Sequence, residues 1–134
     1  MINNFDGRGV RVGRRNVLVV SRLVDFGCYL VGGPEGEILM PGKYMPQGLS
    51  VGDEVEVFVY FDSEDRLVAT TETPLAQVGQ FAYLKVKEVA SPGAFLDWGL
   101  VKDLLVPRRE QRDNMVAGRS YVVYVYQDPV TGRI

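Results

Sequence analysis

The sharpest patterning in the chain runs from Glu54 to Phe61 (EVEVFVYF), where Val55, Val57 and Val59 alternate with Glu54, Glu56, Phe58 and Tyr60. A period of two predicts a strand with one face on a core. Shorter runs rich in Val and Leu predict further strands over Asn16–Val24, Cys28–Val31, Glu37–Met40 and Arg66–Thr71. Turn-forming residues separate them: Asp25-Phe26-Gly27, Gly32–Gly36, the Lys43–Ser50 loop with room for a short helical turn, and Asp62–Asp65. Five short strands at this spacing predict a small closed barrel.

The cycle then starts again. Strands are expected over Phe81–Ala90, Ala94–Asp97, Leu104–Val106 and Tyr121–Tyr126, with Arg133-Ile134 opening a fifth. An ungapped offset of 66 pairs Leu18 with Leu84, Gly27 with Gly93, Leu30 with Leu96, Pro41 with Pro107 and Gly52 with Gly118. Agreement at strand, turn and breaker positions together identifies a tandem duplication. The expected organisation is an arm over 1–15, a first domain over 16–71, a linker over 72–78 and a second domain over 79–134. The second barrel is truncated in its last strand, so the chain reads as a fragment of a longer protein. The connection over 107–116 (PRREQRDNMV) has a more helical composition than its counterpart.

Composition adds exclusions. The 134 residues are 46% hydrophobic and 24% charged, and no apolar run approaches the ~20 residues of a membrane span. The start (MINNFDGRGVRVGRR) lacks the apolar core of a secretory signal, and the single Cys28 has no intrachain partner, so a cytoplasmic protein is expected. With no histidine and one cysteine, the usual zinc sites and His-based nucleophile systems are absent, as is a phosphate-cradling G-x-x-x-x-G-K-S/T loop. No enzyme and no cofactor are expected. The net charge of −2 is unevenly spread. Residues 1–15 carry Arg8, Arg11, Arg14 and Arg15 against Asp6; residues 16–71 carry three basic against nine acidic side chains; residues 79–134 carry eight against six. A polyanion would find the arm and the second unit more favourable than the first.

The order strand, Gly-x-aromatic-Leu, apolar-Pro, Gly-strand, Asp-turn-Arg resembles the S1 domain, the OB-fold repeat of the large RNA-binding ribosomal protein. DFGCYL, EILMP, VFVYFDSEDRLVATT, PLAQVGQFAYLKV and GAFLDWGLVKDLLVP also resemble the N-terminal part of the conserved virulence factor B family of bacteria. The resemblance implies an all-β chain of two tandem five-stranded OB-fold barrels that binds single-stranded RNA as part of a regulator. It also implies further domains in the longer chain, another S1-like domain and a winged helix.

Position by position, the family's first stacking aromatic falls on Phe26 and, in the second unit, on Pro92; the second falls on Tyr29 and Phe95. Its strand-three histidine falls on Met40 and Val106. Its Asp and Arg fall on Asp62 with Arg66, and on Asp128 with Arg133. Barrels of this type bind single strands on the face of strands two and three, with aromatics for bases and cations for phosphates. The expected RNA-binding residues are therefore Phe26, Tyr29, Phe95, Arg66 and Arg133, with Lys85 and Lys87. Lys85 and Lys87, alternating on strand one, are either a phosphate rail or an ordinary exposed face. Tyr29 and Phe95 alternate with the core residues Leu30 and Leu96, which puts them outward. Phe58 and Tyr124 oppose the valine stripe and suit a domain contact; Trp98 shares the parity of Leu96 and is expected to be packed. The alternative function is a protein-interaction module, with the barrels meeting other domains or a partner protein.

Overall fold

In the computed structural model, residues 10–127 are described. Arg8, Asp128, Arg133 and the expected fifth strand of the second unit lie outside them. Among the described residues every regular element is a strand or a three-residue 3₁₀ turn. The chain divides after Glu72 into two compact units.

The first unit is a closed barrel of β1 (Arg14–Val24), β2 (Gly27–Val31), β3 (Glu37–Pro41), β4 (Glu54–Phe61) and β5 (Leu67–Thr70), in the order β1-β2-β3-β5-β4. All neighbours are antiparallel except β3 and β5, which close the barrel as a parallel pair registered at Leu39 and Val68. Alternate residues point inward, so Leu18, Val20, Leu30, Ile38, Met40, Val57 and Val59 fill one core with Cys28. Burial pushes the Cys28 thiol up, which leaves it protonated and inert. Arg14 and Arg15 belong to β1 rather than to a free arm, and Val10 reaches the core. Asn16 anchors this entry: its Oδ1 accepts from Arg11 N at 2.9 Å, and its Nδ2 donates to the carbonyls of Arg11 (2.8 Å) and Arg14 (2.9 Å). On β4 the valine stripe is buried as expected, but so are Phe58 and Tyr60. Burial, assisted by Tyr44, Glu72 and Asp62, pushes the Tyr60 phenol up to about 12.

The second unit is a sheet in the order β8-β7-β6-β9, built from β6 (Phe81–Ala90), β7 (Gly93–Asp97), β8 (Leu104–Pro107) and β9 (Ser120–Tyr124). Leu84, Val86, Ala94, Leu96 and Leu104 are buried. Trp98 is buried too, in keeping with its parity, and its Nε1 donates to Lys102 O at 2.7 Å. Leu75 N donates to Trp98 O at 2.7 Å, which ties the segment between the repeats to this unit. The connection after β8, the stretch of more helical composition, holds a 3₁₀ turn, Arg108–Glu110. Its polar side chains are used locally: Arg108 donates from Nε to Ser91 O and from a terminal nitrogen to Ala90 O, and Gln111 bridges Val106 O and Met115 N.

The two repeats share two devices that set the site. Gly27 and Gly93 have φ of +155° and +151°, and a Cβ at either would stand 2.2 Å from a backbone oxygen, of Met40 or of Val106. Both first strands also carry a β-bulge: register passes from Val20↔Leu30 to Arg22↔Tyr29, and from Val86↔Leu96 to Glu88↔Phe95.

Candidate nucleic-acid interface

A bulge inserts one residue, so the side chains beyond it change faces. Without it Arg22 would share the inward parity of Leu18 and Val20. With it, Arg22 stands on the outer face directly opposite Tyr29. Its guanidinium lies over the Tyr29 ring, 4.2 Å from the centroid, a cation–π arrangement. Phe26, 60% exposed in the β1–β2 turn, meets the same half-buried ring edge-on at 6.2 Å and 87°. Arg22 is held by Glu37, with Nε 3.1 Å from both carboxylate oxygens and a terminal nitrogen 3.0 Å from Oε1. Ser21, the bulged residue, donates from Oγ to Glu37 Oε2 at 2.8 Å. The hydrogen bonds from Arg22 and then Ser21 hold the Glu37 carboxyl below its ordinary range, and the same pairing raises Arg22. Arg22 and Glu37 are site residues that the sequence pattern did not reveal.

Tyr29 opens onto a groove of about 450 Å³ along β2, β3 and β5, lined also by Leu39, Phe61, Asp62, Arg66 and Val68. Arg66 is thus brought to the same groove as Tyr29 from the far side of the barrel seam. Its guanidinium is fixed, with Nε 3.0 Å from Asp62 Oδ2 and a further ion pair to Glu64. Asp62 also accepts from the backbone N–H groups of Glu64 and Arg66, both at 2.9 Å. Burial raises the Asp62 carboxyl, but these backbone bonds and the Arg66 guanidinium outweigh it and leave a net depression. Glu35, Glu37 and Asp65 line the groove as well, giving it more carboxylates than cations among the described residues. Glu37 and Asp62 have folded-state pKa values below their unfolded ones. Their contribution to stability is therefore present above the ordinary carboxylate range and lost as pH falls through the depressed values.

The second unit gathers its residues differently. Phe95 is half-buried on the outer face between Leu105 of β8 and Glu88 of β6, so a carboxylate occupies the Arg22 position. Pro92 stands where the first unit has Phe26. Lys87, the bulged residue, pairs with Asp103 at 3.1 Å, which raises its ammonium. Lys85 is exposed, between Asp97 on β7 and Ser120 on β9. Phe95 and Lys85 share the outer face; Lys87 is committed to its ion pair; Arg133 lies outside the described residues.

Known proteins carry the same plan. The chain is 37% identical over 98 residues to "Uncharacterized protein YitL" of Bacillus subtilis (strain 168), a match covering 72% of this chain and 33% of YitL. The chain therefore spans about a third of that relative. A crystal structure of a multidomain protein with nucleic acid binding domains from Streptococcus pneumoniae TIGR4 shares the fold, with a TM-score of 0.76 and 22% identity, over 91% of this chain and 44% of that one. The S1 domain family matches twice, at residues 12–72 and 78–131. Two matches across nearly the whole chain, each on one compact unit with the strand order and bulge of the other, place it in the S1 domain family as a tandem pair.

Proposed function

We propose that this chain binds single-stranded RNA, without catalysis, through the outer faces of β2 and β7, within a longer cytoplasmic post-transcriptional regulator of the virulence factor B type. In that setting the further domains, S1-like and winged-helix, would share the ligand. The observation that carries the reading is the composite platform of Phe26, Tyr29 and Arg22 at the mouth of a groove that Arg66 flanks. Aromatic and guanidinium planes both stack on bases, and stacking on one aromatic contributes about 1–3 kcal/mol per base. One or two stackers per domain give weak sites, which linkage of two domains strengthens. Anisotropy of labelled poly-U and poly-A across a salt series is the test. Affinity is expected to fall with salt, and to fall by about 1–3 kcal/mol in Tyr29→Ala and in Phe95→Ala with circular dichroism unchanged. Wild-type affinity in both variants would remove the assignment.

Glu37 supplies a second, opposite-signed expectation. Its carboxylate repels phosphate and holds Arg22 flat on the ring, so Glu37→Gln is expected to tighten binding modestly, as for any solvent-screened ion pair. Because Arg22 depresses the Glu37 carboxyl, acidification of the wild type should give the same gain only below the ordinary carboxylate range. A gain already complete at pH 6, or weaker binding by Glu37→Gln, would contradict this role.

The second reading, a protein-interaction module, draws on the carboxylates Glu35, Glu37, Asp62 and Asp65 along the groove. It predicts no RNA affinity even at low salt.

A further inference from the structure

On the second unit, the face of β6 and β9 away from the core carries a ladder of large side chains in water. Phe81 is 73% exposed, Tyr83 72%, Val122 68% and Tyr124 51%. They are cross-strand partners, Phe81 opposite Tyr124 and Tyr83 opposite Val122, with Lys85 opposite Ser120 as the next rung. The Phe81 and Tyr124 rings lie 4.9 Å apart at 52°. The equivalent face of the first unit differs, and its one aromatic, Phe58, is buried. There the rungs are Arg15–Phe58, Val17–Glu56 and Val19–Glu54, laced by the Arg15–Glu56 ion pair. The second copy carries three aromatics where the first has Arg15, Val17 and Phe58. Exposed apolar ladders of this kind mark binding surfaces.

The geometry points to this ladder as a second stacking surface for single-stranded nucleic acid, distinct from the β2/β3-type face and continuous with Phe95. Three features select that ligand. The first is spacing: Phe81 and Tyr83 are two residues apart on one strand, about 6.6 Å, so successive bases of an extended strand can each meet one ring. Sheets that display exposed aromatics to unstacked bases are a recurring RNA-binding device. The second is charge: the six outward positions Phe81, Tyr83, Lys85, Ser120, Val122 and Tyr124 hold a lysine and no carboxylate, and the exposed Arg119 precedes the last rung. Two carboxylates share this outer face on the Phe95 side of the ladder, Asp97 opposite Lys85 and Glu88 opposite Phe95, and Lys85 stands between them and the aromatic rungs. The third is continuity: Phe95 is on the same outer face, and the strand path from Glu88, its partner, to Tyr83 passes Lys85 over roughly 15 Å. A strand leaving Phe95 crosses β6 at Lys85 and reaches Tyr83 and Phe81.

The path starts at Phe95, so it rests on the proposed RNA-binding reading, and oligonucleotide length separates the two. The probes are labelled oligouridines of about four and about sixteen nucleotides, the span of a single OB-fold site. Phe81→Ala/Tyr83→Ala is expected to weaken the long probe at least about fivefold and leave the short probe unchanged, while Phe95→Ala weakens both. Tyr83→Phe, which keeps the ring, should bind like the wild type. Wild-type affinity of Phe81→Ala/Tyr83→Ala for the long probe, with Phe95→Ala still impaired, overturns the ladder alone. Wild-type affinity of all variants overturns both readings. A change in sedimentation of Phe81→Ala/Tyr83→Ala with unaltered RNA affinity overturns the ladder in favour of a protein contact.

Discussion

Gly93→Ala is expected to destabilise the second unit by about 2–4 kcal/mol, seen as an earlier urea transition in Trp98 fluorescence. Two penalties act together. The residue sits at φ +151°, and its new Cβ would stand 2.2 Å from Val106 O and 3.0 Å from Pro107 Cα. Both obstacles are backbone of β8, so relief requires opening the β7–β8 pair at Gly93↔Pro107. Trp98 is the chain's one tryptophan, buried and hydrogen-bonded in the unit under test, and it reports that unit's unfolding. Gly118→Ala is the control: φ is +88° but no atom lies within 4 Å of the added carbon, so only the backbone penalty of about 1–2 kcal/mol remains. Equal midpoints for the two variants would show that the approach of β8 is not what demands glycine. Gly27 meets Met40 O in the same way and should behave alike in the first unit.

Asn16→Ala carries the other large effect, about 2–3 kcal/mol on the first barrel. The side chain is 2% exposed and makes three hydrogen bonds to the backbone of Arg11 and Arg14. Alanine leaves those groups to find water or remain unpaired. Hydrogen exchange should speed at the Arg11 amide first, because it donates to Asn16 Oδ1, which alanine removes. An unchanged Arg11 amide in Asn16→Ala would mean that other contacts hold this entry in place. The second repeat has Ala82 at the equivalent position, so the anchor belongs to one barrel only.

Much of the fold was legible because barrel strands this short leave a full signature in each repeat. The bounds Glu54–Phe61 follow from alternation, and the offset of 66 transfers strands, turns and breakers from one unit to the other, Phe81–Ala90 among them. The outward placement of Tyr29 and Phe95 follows from their alternation with Leu30 and Leu96. Arg22 was not legible. A bulge leaves no compositional trace in NVLVVSRLV, and a single extra residue reverses the parity of everything after it. Glu37 was invisible for the same reason, since its role depends on where Arg22 points. The helical composition over 107–116 resolves to the 3₁₀ turn Arg108–Glu110, and the bonds from Arg108 to the carbonyls of Ser91 and Ala90 are tertiary contacts that no local propensity encodes. Phe58 and Tyr124 share a position in the repeat yet differ fully in exposure, so parity tells which way a side chain points but not what lies beyond it.

The parallel pair β3–β5 gives the groove a property of its own. Leu39 and Val68, the registered residues of that pair, are also groove-lining residues, with Tyr29 on one bank and Arg66 on the other. The groove floor is the zip of the cylinder. A polymer lying across it would act as a clasp, and the free energy of its binding would appear as resistance of the barrel to opening.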